Sequence, residues 1–422
     1  MQNSGIEWIG EIPKEWTINS ISQLFSQVKN KNTDLQETNL LSLSYGKIKR
    51  KNIETTDGLL PESFDGYNIV ESNDIVLRLT DLQNDHKSLR VGLVTERGII
   101  TSAYLTIRNH SESIAKYLYF YLHAFDISKG FYGMGAGVRQ GLNWDGIKWL
   151  KMLSPSIPEQ QAIADFLDTQ CAHIDSVIEK TRSAIEEYKK LKQAVITQAV
   201  TKGIRPNREM KDSGIEWIGE IPKEWAVQRI KTIFNLRDER NYLPLEEVNL
   251  ISLYTDKGVV QHSDLEKTTG NKASNADGYK KVYENDIIVN IILCWMGAIG
   301  RSSYQGVTSP AYDIYVPSNT IECRFYHHYF RTKGFSGDCY KRGKGIMAMR
   351  WRTYSDQFRD IKVVVPPLKE QQEILNYLDE KTAAIDSLIQ KKEQLISELE
   401  AYKKSLIYEY VTGKKEAPAH AH

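Results

Sequence analysis

A chain of 422 residues exceeds one ordinary core and suits two domains of roughly 150 residues with connecting elements. A hydrophobic fraction of 41% against 26% charged residues is that of a globular protein, and no apolar run approaches the ~20 residues that span a bilayer. The formal net charge of +1 neither demands nor excludes a nucleic-acid partner, so local charge has to decide. Cys171, Cys294, Cys323 and Cys339 fall at irregular spacings without a C-x-x-C, which argues against a zinc site and a disulfide framework. The opening Met-Gln-Asn-Ser-Gly has no basic segment leading into an apolar one, so the expected location is the cytoplasm, with no membrane partner.

The first landmark is Ser4–Trp16, a thirteen-residue stretch that recurs unchanged at Ser213–Trp225 and marks the chain as an internal repeat. Its Trp8, Ile9, Ile12 and Trp16, with Pro13 fixing an extended backbone, suit a packed mounting common to both halves. Residues to about 155 mix short strand-like runs, such as Ile75-Val76-Leu77 and Gly98-Ile99-Ile100, with turns, and predict an α+β domain over 1–155. One helical face is predicted there, through Ile114, Tyr117, Leu118, Tyr121, Leu122 and Phe125. Lys47, Lys49, Arg50 and Lys51 form a basic cluster, read either as DNA contacts or as a solvated turn. A glycine-bearing loop, Tyr132 to Trp144, carries Arg139, Gln140 and Asn143; amide side chains are the groups that bond adenine edges.

Past Pro158 no proline occurs before Pro206 and no glycine before Gly203, which predicts one long helix over 156–203. Its apolar positions recur in sevens, with Leu167, Ile174, Tyr188 and Val195 in one set and Ile178 and Ile185 in the other, a coiled-coil seam weakened at Thr181 and Lys192. A polar linker with Gly203 and Pro206 leads into a second α+β domain, the two together covering 204–365. A second long helix over 366–413 copies the first without a gap, its seam carrying Leu378, Ile385, Ile389, Ile396, Leu399 and Leu406. Residues 414–422 are expected to be a disordered tail. The fold class is therefore α+β: two homologous globular domains separated by two long helices. Each helix is about 60 Å long, and the pair is expected to be antiparallel about a pseudo-two-fold axis.

Such a shape suits a target with its own two-fold pseudo-symmetry, of which duplex DNA is one. Between Arg324 and Arg352 eight basic residues face the single acid Asp338, and Tyr340, Lys341, Arg342, Lys344, Arg350 and Arg352 are the candidate DNA contacts. A solvated loop is the plain alternative. For the whole chain the alternatives are a duplicated coiled-coil scaffold binding only proteins, and a nuclease. No phosphate-binding glycine motif is present: neither glycine loop leads into Lys-Ser/Thr. Asp74 and Asp286 follow Asn in turns before strands, where turn formation explains them, and His327-His328 lies on a predicted helix without further ligands.

Three motifs carry a family resemblance over nearly the whole chain. They are Gly-Glu-Ile-Pro-x-x-Trp at Gly10–Trp16 and Gly219–Trp225, the helix starts Pro155-Ser-Ile-Pro-Glu-Gln-Gln161 and Pro366-Pro-Leu-Lys-Glu-Gln-Gln372, and the helix ends Ala199-Val-Thr-Lys-Gly203 and Tyr410-Val-Thr-Gly413. In these the chain resembles the specificity subunits of type I restriction-modification systems. The resemblance implies two target-recognition domains, each reading half of a bipartite double-stranded DNA sequence, with the helix pair fixing the spacer. It also implies two methylation subunits and two restriction subunits as partners. S-adenosylmethionine, ATP and magnesium would belong to those partners, and this chain would catalyse nothing.

Overall fold

A computed structural model describes residues 1–53, 63–82, 89–134, 141–262, 275–345 and 351–418. The chain divides into two units, Met1–Arg182 with Glu393–His422, and Ser183–Lys392. Each unit therefore takes a globular part and part of each long helix, so these units cut across the sequence segments 156–203 and 366–413. The reason is coverage: Leu167, Ile174 and Ile178 belong to the same buried cluster as Tyr117 and Leu118, so the helix seam and the globular core are continuous.

In the first unit β1 (Phe25–Gln27), β2 (Ile75–Leu77), β3 (Val91–Leu93) and β4 (Leu105–Asn109) form an antiparallel sheet in the order β1-β4-β2-β3. Helix α1 (Ala115–Ile127) follows, and its Tyr117, Leu118, Tyr121 and Phe125 are buried, in keeping with the predicted face. Strand Thr17–Ser20 pairs with Lys151–Ser154, so the globular part begins and ends where α2 (Ile157–Lys202) starts. The second unit repeats the plan with β5 (Phe234–Arg237), β6 (Ile287–Asn290), β7 (Ile299–Arg301) and β8 (Tyr312–Pro317) in the order β5-β8-β6-β7. Helices α3 (Cys323–Phe330) and α4 (Lys333–Arg342) follow, then α5 (Leu368–Val411).

Within each unit α2 and α5 run antiparallel. In the first, Asp175 pairs with Lys403 at 2.6 Å and Arg182 with Glu400 at 3.0 Å. In the second, Lys192 pairs with Asp386 at 2.6 Å, and Lys392 lies 5.7 Å from the Tyr188 ring centroid. The weak seam positions are thereby explained: Lys192 reaches out to Asp386, and Thr181 returns its hydroxyl to the Val177 carbonyl at 2.7 Å. Leu167, Ile174, Ile178, Ile185, Leu378, Ile385 and Leu406 are buried, whereas Tyr188, Val195, Ile389, Ile396 and Leu399 are half-buried. Two helices alone cover only one side of a seam.

The duplicated thirteen residues are a mounting. In the first unit Trp8 packs on Tyr121 and Tyr408 at 5.7 and 6.0 Å, and Trp16 Nε1 donates to Glu159 at the start of α2 at 3.0 Å. In the second, Trp217 Nε1 donates to Asp338 on α4 at 2.7 Å, and Ile215, Ile218 and Trp225 share a core with Ile196, Ala199 and Val200 near the end of α2. The segment expected to be a polar linker is tied down. Arg208 pairs with Glu370 and Glu224, Arg205 pairs with Glu373, and Met210–Asp212 is a strand pairing Glu220–Pro222. The tail expected to be disordered is anchored over its described part: Lys414 Nζ donates to the Glu11 carbonyl at 2.5 Å and Lys415 pairs with Glu409. Residues 419–422 lie outside the described residues.

The Glu-Gln-Gln motif has a specific task. Gln160 accepts the Ile114 N–H at 2.9 Å and donates to the Pro155 carbonyl at 3.0 Å; Gln371 accepts the Glu322 N–H at 2.9 Å and donates to Pro366 at 2.8 Å. Both amides are buried, so each serves backbone groups that water cannot reach. Gln371→Leu is expected to destabilise the protein by about 2–4 kcal/mol in urea denaturation, because buried donors and acceptors lose their partners. Exposed Gln372→Leu should change stability by less than about 0.5 kcal/mol.

His123 is buried on α1, stacked on Tyr119, and burial pushes its pKa down to about 4, with Lys403 acting in the same direction. The unfolded chain binds this proton near pH 6.5 and the folded chain only near pH 4, so stability should fall as pH drops through that window, by about 3 kcal/mol for this group. His123→Phe should flatten the loss between pH 6.5 and 4 in denaturation profiles; an unchanged slope would assign it elsewhere.

Candidate nucleic-acid interface

The eight cations between Arg324 and Arg352 fall into different classes once folded. Arg324 is held by Asp379 on α5, both carboxylate oxygens at 2.7 Å. Arg331 sends its guanidinium to the carbonyls of Gly297, Ile299, Thr255 and Asp256 at 2.9–3.3 Å, stapling two turns together. Lys341 pairs with Glu216 of the duplicated stretch at 2.6 Å. Lys333, at the start of α4, makes no ion pair among the described residues, Arg350 lies outside them, and the remaining Arg342, Lys344 and Arg352 likewise make none.

These three surround a short hairpin. Lys344 and Arg352 exchange backbone hydrogen bonds of 2.9 and 3.0 Å, with the turn between them outside the described residues. The base is rigid: Trp351 stacks on Tyr340 with centroids 5.0 Å apart and donates its Nε1 to the Tyr340 carbonyl at 3.1 Å. Gly343 is required beneath it, since a Cβ there would stand 2.2 Å from Trp351 Nε1. On the other side of Tyr340 lies Trp295, at 5.6 Å, and the Thr353 N–H donates to the Ile291 carbonyl at 2.9 Å. The hairpin base and the turn 291–297 are one body. Its electrostatics are positive: α4 ends in Arg342, and the nearby Asp338 carboxyl is half-buried and raised in pKa by desolvation, against the Trp217 hydrogen bond.

The matching region of the first unit is built differently. Arg90 is fully buried and donates to the carbonyls of Arg78 and Thr80 at 3.0 and 2.8 Å and to the Tyr132 hydroxyl at 3.1 Å. It thereby joins the roots of the 78–90 connection and the glycine loop. Asn143 has its side-chain oxygen engaged as the N-cap of Trp144–Ile147, accepting from Gly146 N at 3.1 Å, which leaves its NH₂ group for any base contact. Arg139 and Gln140 lie outside the described residues. In the basic cluster, Lys47 pairs with Asp175 at 2.8 Å and Arg50 with Glu96, while Lys49 and Lys51 are exposed beside them without an ion pair among the described residues.

The paired acids Asp74 and Asp286 are structural. Each accepts a turn N–H at 2.8 Å, from Glu71 and Tyr283, and each is buried against an arginine, Arg108 at 2.7 Å and Arg237 at 3.0 Å. Both turns have Asn in the left-handed region, Asn73 at φ 73° and Asn285 at φ 71°. Among the described residues no three His, Cys, Asp or Glu side chains gather as a metal site, and no helix is long and apolar enough to cross a membrane. His327 and His328 line a cavity of about 680 Å³, where burial pushes their pKa values down to about 3 and 4. Sequence reading missed Arg90, and it missed the exposure of Leu293 and Met296 beside the hairpin, since an apolar run reads as core.

Residues 222–399 match the type I restriction modification DNA specificity domain. A Methanocaldococcus jannaschii protein provisionally named the MjaX specificity subunit of a type I restriction enzyme is 23% identical, with 96% of this chain and 95% of that protein covered. The EcoDI specificity subunit of Escherichia coli is 22% identical over 62% of this chain and 61% of its own length. Among solved structures, a chain of a type I restriction-modification system has a TM-score of 0.68 at 12% identity, covering 96% of this chain and 100% of its own. The HsdS subunit of Thermoanaerobacter tengcongensis has a TM-score of 0.53 at 13% identity, covering 98% and 100%. Residues 222–399 thus match the specificity domain itself, and over nearly its full length the chain is similar to type I restriction-modification specificity subunits, whose fold it shares.

Proposed function

We propose that this chain reads a bipartite DNA sequence for a type I restriction-modification complex in the cytoplasm, one half-site per globular unit. The long helices set the spacer and dock the methylation subunits. The observation that carries the reading is the rigid hairpin base in the second unit, where Arg342, Lys344 and Arg352 have no acidic partner among the described residues. Unpaired cations on a fixed backbone suit phosphate contacts that set register, leaving base edges to neighbouring side chains. The reading extends to two methylation and two restriction subunits, with catalysis and the use of S-adenosylmethionine, ATP and magnesium in those partners. Exposed apolar side chains on the long helices, Leu395 and Tyr402 in the first unit and Leu191 and Leu388 in the second, suit helix-on-helix docking of a partner.

Assembled with its methylation subunits, the protein should bind its target with an affinity that falls steeply with salt. Replacing Arg342, Lys344 and Arg352 together by Ala should flatten the log–log salt slope by about 0.9 for each phosphate no longer neutralised, while leaving assembly intact. Salt-insensitive binding would sink the reading. Inserting seven residues at matched places in both long helices keeps the seam in register and adds about 10 Å. The modified DNA sequence should then keep both half-sites and gain a spacer longer by about three base pairs. Sequencing of methylated sites reads this out, and an unchanged spacer rules out the helices as its ruler.

A further inference from the structure

Beside the hairpin base the second unit carries a turn whose apolar side chains have been left in solvent. Residues Cys294–Met296 form a single 3₁₀ turn closed by Gly297 at φ +88°, a conformation that favours glycine. Asn290 Oδ1 accepts the N–H groups of Ile292 and Leu293 at 3.0 and 3.3 Å, and Trp295 Nε1 donates to the Ile292 carbonyl at 2.9 Å. Cys294 points into the core and is fully buried. The same geometry leaves Leu293 37% and Met296 53% exposed on either side of Trp295, which packs on Tyr340.

Two large apolar side chains on a locally hydrogen-bonded turn gain nothing from water. Their turn is joined to the hairpin base through Trp295 on Tyr340 and Ile291 on Thr353, residues that neighbour Arg342 and Arg352 in the chain, so they sit near where a polyanion would be drawn. The apolar group that duplex DNA offers at its major-groove edge is the thymine methyl. The corresponding connection of the first unit, closed by the Arg78 N–H to Arg90 carbonyl hydrogen bond, carries Thr80 and Asp81 and keeps Leu79 and Leu82 buried, where this one leaves two apolar side chains in solvent. We infer that Leu293 and Met296 are specificity-determining residues of the second unit, contacting thymine methyl groups in the half-site that this unit reads. The inference rests on the DNA-recognition reading and adds to it the chemistry of one set of contacts.

Uracil differs from thymine only by that methyl group, which gives a direct test. The wild-type chain, assembled with its methylation subunits, is titrated with target duplexes in which each thymine in turn is replaced by uracil. At one or more positions of a single half-site the affinity should fall about three- to fivefold, the loss of one buried methyl. In a Leu293→Ala, Met296→Ala double variant the affinity for the unmodified target should fall, and the uracil penalty at those positions should vanish. Specific, salt-dependent binding with no uracil-sensitive position overturns this inference alone. A penalty that persists in the double variant overturns it as well. Absence of sequence-specific binding by the wild-type assembly overturns the DNA-recognition reading itself.

Discussion

Two buried glutamine side chains hold the architecture together. Gln160 and Gln371 each occupy the first turn of a long helix, and each bonds both a proline carbonyl just before that helix and the N–H at the start of the helix in the adjoining globular part. One amide offers both a donor and an acceptor, which an apolar residue cannot, so the junction is fixed in orientation as well as in distance. Ion pairs reinforce it further along the same helices. Lys116 reaches Asp168 in the first unit and Arg324 reaches Asp379 in the second. A recognition surface mounted this way is positioned relative to the helix axis rather than hung from a loop.

What the halves share and what they do not follows from this. The mounting residues, the sheet order and the helix-pair contacts recur, down to the equivalent bonds Lys403–Asp175 and Lys192–Asp386. The connections far from the mounting do not. One unit braces its loops with the buried guanidinium of Arg90; the other uses Arg331 from the end of a helix and an aromatic stack of Trp295, Tyr340 and Trp351. The two sets of loops differ in their side chains, but each has a braced root.

Much of the fold was legible in the sequence because the repeat and the seven-residue spacing are one-dimensional properties. Helix positions such as Ile174 and Ile385 could be paired across the halves by counting. The charge of the candidate interface was only partly legible. Whether a cation is spent or available depends on residues far along the chain: Lys341 is neutralised by Glu216, Arg324 by Asp379, and Arg331 is occupied by carbonyls of two separate turns. The linker misled for the same reason, since its arginines look solvated until Glu370 and Glu373 are brought to them. Exposure of Leu293 and Met296 was invisible because burial is a property of the turn and not of the residue type.

The buried acids just before β2 and β6 constrain what can be exchanged between the halves. Asp74 and Asp286 occupy equivalent turns, yet their arginines come from different strands, Arg108 from β4 and Arg237 from β5. The carboxylate has stayed while its counter-charge has moved to the neighbouring strand. Transplanting β8 alone into the first unit would strand Asp74 without a partner, and transplanting β4 into the second would crowd two guanidiniums onto Asp286, either fault costing several kcal/mol in a buried site. Moving an entire globular part, with both strands, incurs no such conflict. The globular parts are therefore interchangeable only as wholes, each carried with its buried acid and the strand that supplies its arginine.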